Sequence, residues 1–391
     1  MITQTPCLSL GHVIARHLVR CLTVPAAKHA ANQDQHAWKI SQFSKDWDAL
    51  SLEPCSRRME QADDVLVRVR AASINPIDLE LAAGFGRNAF AAQRFIDTFT
   101  VRDPLPICLG RDFSGIVQAV GPAVTRLRVG DEVIGVLPPA VTEGSHATHV
   151  VASSKFTVLK PPEFSDEEAA AIPYAGLTAL SAISVYAGLN PNNSRFKRVL
   201  VLGGTGSVGL SAIAILKSYG ADVTATCASS AKDWLTNVSA VDDVIDYSNA
   251  AEFESHGGKY DVVINAAPMS AGTIHENAIR CLKRKSGAQY VSLTMPLLNH
   301  MDESGLMLGS VKSGCQLLSQ NAKHLMNEGI CIKWALVLPS QGGMEFLAGM
   351  AKGKSLQPVL DQVFPFDQTR KAYEHVAKGH ARGKTVIKMP D

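Results

Sequence analysis

The chain contains no C-x-x-C pair, and its eight cysteines are scattered singly over 391 residues. That spacing excludes a zinc ribbon and a disulfide framework and leaves the cysteines as small, reduced core residues. Acidic side chains are missing from residues 1–30, which carry Arg16, Arg20 and Lys28; the first acid is Asp34. Those three cations exceed the whole net charge of +2, so the rest of the chain is near neutral and has no basic footprint for nucleic acid. Long apolar runs are few. Residues 169–194 and 199–216 are uncharged and reach membrane-spanning length. Pro173 with several small or polar residues breaks the first and glycines break the second, so both read as buried segments and no transmembrane segment is expected.

What is present fits a soluble globular protein of two domains, with 46% hydrophobic and 19% charged residues. The acid-free opening segment bears Ser, Thr and Arg, with Leu10, Val13, Ile14, Leu18 and Leu22 at helical spacing. This pattern predicts a mitochondrial transit peptide over residues 1–31 and delivery to the matrix. The competing reading is an N-terminal tail in which three cations fall by chance.

The densest signal is KRVLVLGGTGSVGLSAIAILKSYGADVTATC, residues 197–227. A β-branched run enters a glycine-rich turn, an amphipathic helical stretch follows, and a second apolar run closes the unit. Gly204-Thr205-Gly206-Ser207-Val208-Gly209 has the G-x-G-x-x-G spacing after a strand and at a helix start, which predicts a dinucleotide site. Glycine lets the backbone approach a pyrophosphate, and the free N–H groups of the following helix then face its oxygens. The second run ends at Cys227 with no carboxylate before Asp233, where an NAD site places its ribose-binding acid. Ser229, Ser230 and Lys232 stand there instead and suit a 2′-phosphate, which predicts NADPH. The alternative is that the serines cap the next helix and Lys232 is a solvated surface residue.

Further strands are expected at DDVIDY (242–247), YDVVINAAP (260–268) and AQYVSLTMP (288–296), separated by helices. The alternation implies an α/β, doubly wound parallel sheet over 164–330. Ligands bind at the carboxyl ends of such strands, which puts Ala266 and Leu293 beside the cofactor. Residues 38–163 read as short alternating strands punctuated by Gly, Pro and Asp, a β-rich domain. Strand signals in VLDQVFPF and GKTVIKMP predict that residues 331–391 return to that first domain.

SINPID, GRDFSGIV, GDEVIG, IPYAGLTAL and GGTGSVG occur in an order that resembles the medium-chain dehydrogenase/reductase superfamily, in its zinc-free quinone-oxidoreductase branch. AWKI, SGAQYVSLTMPLLNHMD, QPVLDQVFPF and GHARGKTVI narrow the resemblance to a mitochondrial NADPH oxidoreductase family of the coenzyme Q (ubiquinone) pathway. The resemblance implies a GroES-like catalytic domain, a Rossmann domain and a cleft between them. Where zinc-dependent relatives hold metal ligands, this chain reads Asn75-Pro76-Ile77-Asp78, Gly110-Arg111-Asp112 and Ala175 or Gly176, which are not zinc's preferred thiolates and imidazoles.

Without a Lewis-acid metal, a hydride acceptor must already be electron-poor, as a small-molecule quinone or enone is, and the protein supplies position and a hydrogen bond to the developing oxyanion. Asn75 resembles the asparagine that faces nicotinamide and substrate in quinone reductases; it also reads as a turn residue before Pro76. Asp78 orients its neighbours or caps a helix, and Tyr174 donates a proton or simply packs. The resemblance puts Tyr247 beside the adenosine 2′-phosphate and brings His380, Ala381 and Arg382 to the cofactor. An enoyl-thioester reductase and an NADPH-responsive binding protein acting on proteins of coenzyme Q synthesis are the competing functions. A homo-oligomer fits all three.

Overall fold

The computed structural model describes residues 35–98, 104–379 and 381–390. The expected transit peptide lies outside the described residues, as does His380. The described residues all belong to one compact unit.

Six parallel strands build the nucleotide sheet in the spatial order Asp243–Asp246, Asp222–Cys227, Arg198–Leu202, Val262–Asn265, Gln289–Ser292, Cys331–Trp334. Reading outward from Arg198–Leu202, the chain winds one way through the second and third strands, then reverses to the fourth. This is the strand order of a Rossmann sheet, and its ligand crevice opens where the direction reverses, between the ends of the first and fourth strands. Both faces are covered, so the strands are continuously apolar: Val199, Leu200 and Val201 are fully buried. The two uncharged runs sit inside this domain. The helical stretch Asp166–Tyr186 has the length and apolarity of a membrane span, but most of it is packed against the core.

The boundary expected at residue 331 is corrected. Cys331–Trp334 pairs in parallel with Gln289–Ser292 as the sixth nucleotide-sheet strand, and helix Gln341–Lys352 packs on helix Pro173–Leu180. The chain re-enters the catalytic domain only at Leu360–Pro365. CIKW is too short, and too mixed in polarity, to declare its sheet; only the pairing decides it.

The catalytic domain is a seven-stranded sheet. Asp64–Ser73 is its long central strand, flanked by Asp112–Val120 and by Lys384–Lys388, which brings the chain's end to its middle. Lys384–Lys388 pairs antiparallel through Val386 and Ser73, and in parallel with Leu360–Pro365. A smaller sheet of His36–Ile40, Leu50–Pro54 and Ile107–Cys108 closes one side. The α/β class with a β-rich first domain agrees with the sequence reading.

Candidate active site

Asp64–Ser73 ends at the site, and helix Pro76–Ala82 begins there. Asn75 precedes Pro76, whose missing N–H is harmless at a helix start. Asp78 accepts a 2.8 Å hydrogen bond from the Asn75 N–H with one oxygen and a 2.9 Å bond from the Gly110 N–H with the other. Both acids of this region, Asp78 and Asp112, are fully buried. Asp78 is therefore a positioning residue that fixes two loops at once.

Asn75 is 2% exposed, and its carboxamide is held at both ends. Nδ2 donates to Asp112 Oδ2 at 2.9 Å, and Oδ1 accepts from the Lys384 ammonium. Because an ammonium cannot accept a hydrogen bond, the oxygen of the carboxamide must face Lys384. Asp112 Oδ2 also accepts from the Ser73 hydroxyl, while Oδ1 accepts a 2.8 Å bond from the Tyr174 N–H. Lys384 Nζ lies 3.6 Å from Asp112 Oδ2. Burial pushes the Asp112 carboxyl up and the Lys384 ammonium down, and each partner's charge opposes that trend. Tyr174 is buried as well, which raises its phenol far above the ordinary range and leaves it a weak acid.

The glycine-rich turn faces this network. Gly204 N donates to Thr226 O at 2.8 Å, and Gly206 caps the helix Ser207–Ser218. The glycines differ in what a side chain would meet. A Cβ on Gly209 would lie 2.2 Å from the Gly203 carbonyl, and one on Gly204 would lie 2.8 Å from the Ala225 methyl, so helix–strand packing explains both. A Cβ on Gly206 would meet only the Gly203 carbonyl, at 3.6 Å. The fold itself does not need a glycine there, and the space above Gly206 is open to a ligand's close approach. Val208 packs on the core, and Thr205 O accepts a 3.0 Å bond from Gly383 N, one residue before Lys384. Ser207, Ile172, Gln357 and Lys384 line one crevice. The turn and the Asn75–Lys384 network thus share a wall. Leu293 follows the fifth strand and donates its N–H to Asn265 O at 3.1 Å, while Ala266 backs Gly203 at the end of the fourth.

The second-strand end gathers most of the expected adenosine-side residues. Arg382 Nη2 donates to Ser230 O at 3.4 Å and to Ser230 Oγ at 3.5 Å, and its guanidinium lies 5.9 Å over the Trp234 ring. Tyr247 is 56% exposed beside Cys227, whose carbonyl accepts its N–H. Ala381 precedes Arg382 on the returning segment. Lys232 differs from the sequence expectation: its ammonium is held by both Glu252 oxygens, at 2.9 and 2.8 Å. Asp246, opposite Cys227 in the strand register, also brings a carboxylate to this end, where the Ser248 hydroxyl and N–H hold it below the usual carboxylate range. Sequence reading looked for an acid only along the second strand and missed one supplied by the third.

Two family descriptions match: an alcohol dehydrogenase GroES-like domain over residues 61–162 and a zinc-binding dehydrogenase over 240–387. The mitochondrial NAD(P)H oxidoreductase RTN4IP1 of Bos taurus is 37% identical over 332 residues, covering 84% of this chain and 82% of its own. That of Drosophila melanogaster is 33% identical over 379 residues, covering 94% and 89%. The chain belongs to the RTN4IP1 family of oxidoreductases. Among solved structures, the quinone oxidoreductase from Coxiella burnetii superposes with a TM-score of 0.72 at 25% identity, covering 91% of this chain and 99% of that one.

The second family description names zinc, and the residues here do not fit it. At the family's metal positions stand the Asn75 carboxamide, held between Asp112 and Lys384, and the buried Arg111 guanidinium, which donates to the Gly110 and Val141 carbonyls, and neither offers zinc a thiolate or an imidazole. Among the described residues no cluster of three His, Cys, Asp or Glu side chains could hold a metal. A nicotinamide dinucleotide does fit, because the opening above Gly206 at a helix N-terminus is the cradle that its pyrophosphate needs.

Lys384 and Ser73 escaped the sequence reading. The signal for Lys384 was the G-K step in GHARGKTVI, where glycine precedes a buried strand lysine. A Cβ at Gly383 would sit 2.3 Å from the Val359 carbonyl, and its φ is +104°, so only glycine lets the chain reach the turn there.

Proposed function

We propose that this member of the RTN4IP1 family is an NADPH-dependent reductase of a quinone-type acceptor, working in the mitochondrial matrix by metal-free hydride transfer and supporting coenzyme Q synthesis. The observation that carries the chemistry is the Asn75–Lys384–Asp112 network on the wall shared with the dinucleotide turn. When bound, the dinucleotide supplies the hydride. The chain's own residues hold it by the Gly204–Gly209 backbone and position its reactive end toward the network. Asn75 has two N–H donors and gives one to Asp112; the second remains for an acceptor oxygen that gains negative charge. Lys384 fixes which end of the carboxamide points that way, and its ammonium offsets the same charge. Asp78 and Ser73 keep the network in register.

Preference for NADPH is supported by Ser229, Ser230 and Arg382 at the second-strand end. The Arg382 N–H donates to Asp361, but among the described residues its guanidinium bonds only neutral oxygens of Ser230, which leaves that charge for a 2′-phosphate. Matrix location is supported by the acid-free opening segment and by the mitochondrial names of the relatives. The coenzyme Q role rests on the likeness of the later motifs to mitochondrial members.

NADPH oxidation by the purified chain against a panel of p-quinones and 2-enoyl thioesters tests this reading. Turnover with quinones alone is the expected result. Turnover with enoyl thioesters alone would make the chain an enoyl reductase, and binding of NADPH without turnover on either class would make it a regulatory binder.

A further inference from the structure

The run VLDQVFPF, residues 359–366, carries an acid inside a strand, and the sheet gives way around it. Strand Leu360–Pro365 pairs in parallel with Lys384–Lys388, Leu360 against Lys384 and Gln362 against Thr385. Asp361 is the extra residue between those two pairs and has no counterpart in the ladder. Such a bulge is uncommon in a parallel pair, and its effect is to re-aim a side chain.

Here the carboxylate is aimed at the segment that returns to the cofactor turn. Asp361 Oδ1 accepts a 3.0 Å hydrogen bond from the Arg382 N–H, and Oδ2 accepts from His375 Nε2 at 2.5 Å. A carboxylate only accepts, so His375 carries a proton on Nε2. His375 stands on helix Thr369–Ala377 with its ring centroid 5.7 Å from that of Phe364, a core residue of the catalytic domain. Three successive N–H groups of the returning segment are thereby fixed: Arg382 to Asp361, Gly383 to the Thr205 carbonyl at 3.0 Å, and Lys384 to the Val359 carbonyl at 2.9 Å. The second and third use backbone acceptors. The first uses a charged side chain that the strand breaks register to present.

That charge matters to the arginine it holds. Arginine and carboxylate side chains pair strongly, often bidentately, when both are free. Both Asp361 oxygens are occupied, one by the Arg382 backbone and one by His375, and the guanidinium instead reaches the Ser230 oxygens. A long side chain loses much conformational freedom when it is ordered. A fixed root and an arm already laid toward the second-strand end lower that cost when a phosphate arrives. His375 keeps the carboxylate from capturing the arm, and the carboxylate keeps the root in place.

We propose, on the reading of Arg382 as the phosphate partner, that Asp361 clamped by His375 is the positioning residue that aims Arg382 at the cofactor's 2′-phosphate and so sets the preference for NADPH over NADH.

Calorimetric titration of NADPH and NADH into the full chain tests this, in wild type, Asp361→Ala, Asp361→Asn, His375→Leu, Arg382→Ala and the Asp361→Ala/Arg382→Ala double variant. Melting without cofactor checks that each variant folds. Asp361→Ala and His375→Leu should each weaken NADPH binding roughly tenfold and NADH binding less than about twofold, a selective loss that general damage to the fold would not give. Asp361→Asn keeps an acceptor for the Arg382 N–H, and its amide can donate to the other His375 tautomer, so it should restore most of the preference. In the Arg382→Ala background, Asp361→Ala should cost no further preference, because the two act through one contact. Suppose Arg382→Ala costs preference, while Asp361→Ala leaves it intact, weakens both cofactors equally or is matched by Asp361→Asn. The positioning role then falls and the Arg382 reading stands. A preference unchanged in Arg382→Ala removes that reading and the proposal with it.

Discussion

At the scale of single residues, the site depends on which charges are already spent. Lys232 and Arg382 both stand where an adenosine phosphate would arrive, and sequence alone ranks them together. The structure separates them, because the Lys232 ammonium is bonded bidentately to Glu252 while the Arg382 guanidinium, among the described residues, donates only to neutral oxygens of Ser230. A phosphate that recruits Lys232 must compete with a carboxylate; one that recruits Arg382 displaces none. A charged phosphate contact contributes about 1.5–3 kcal/mol, roughly 10- to 150-fold in affinity. Arg382→Ala should therefore weaken NADPH binding at least 10-fold and NADH binding hardly at all, while Lys232→Ala has the smaller effect. Calorimetric titration of both cofactors into both variants measures this. Equal losses for NADPH and NADH in Arg382→Ala would place the guanidinium away from the 2′-phosphate.

Elements meet the site through buried polar joints that a sequence does not advertise. His146 is fully buried, with Nε2 at 3.1 Å from the Ser73 carbonyl and Nδ1 at 2.8 Å from the Tyr373 hydroxyl. The neutral tautomer satisfies both, donating to Ser73 and accepting from Tyr373. It thus ties helix Thr369–Ala377 to the end of strand Asp64–Ser73, beside Asn75. Burial lowers the His146 pKa, against the opposing pull of Asp78. A base whose folded pKa lies below its unfolded value contributes no penalty above that unfolded value, near 6.5, and costs stability as pH falls below it. The slope approaches 1.4 kcal/mol per pH unit for one such group. Melting between pH 8 and pH 5 should therefore fall less steeply in His146→Gln than in wild type, whatever their relative stability at pH 8. Parallel curves would show that burial leaves the His146 pKa where the unfolded chain has it.

The same joints explain how much was legible beforehand. The G-x-G-x-x-G turn and its βαβ unit carry period, punctuation and spacing within thirty residues, so the Rossmann sheet could be read from them. Asn75 and Asp78 were visible because they stand beside Pro76 in a local motif. Lys384 pairs with Asn75 across 309 positions, and the glycine before it does not by itself tell a buried, partnered strand lysine from a solvated one. The strand Cys331–Trp334 was assigned to the wrong sheet for a related reason: a four-residue run takes its identity from its neighbours.

At the scale of the whole molecule, the return of the chain's last strand makes one active site from two domains. Gly383 bonds Thr205 in the dinucleotide turn, Lys384 bonds Asn75 in the catalytic sheet, and the two residues are adjacent. Cofactor turn and acceptor-facing network are thereby held by a single backbone step. On the proposed metal-free reading, the charge that develops on the acceptor is met by Asn75 and Lys384. The most direct test is quinone-dependent NADPH oxidation by enzyme treated exhaustively with a chelator and analysed for metals, in wild type and in Asn75→Ala. The wild type should keep its full rate with less than about 0.1 zinc per chain, and Asn75→Ala should lose roughly 100- to 1000-fold in kcat, about the cost of one oxyanion donor, with KM for NADPH little changed. Loss of wild-type activity on chelation, restored by zinc, or an unchanged kcat in Asn75→Ala would contradict the account.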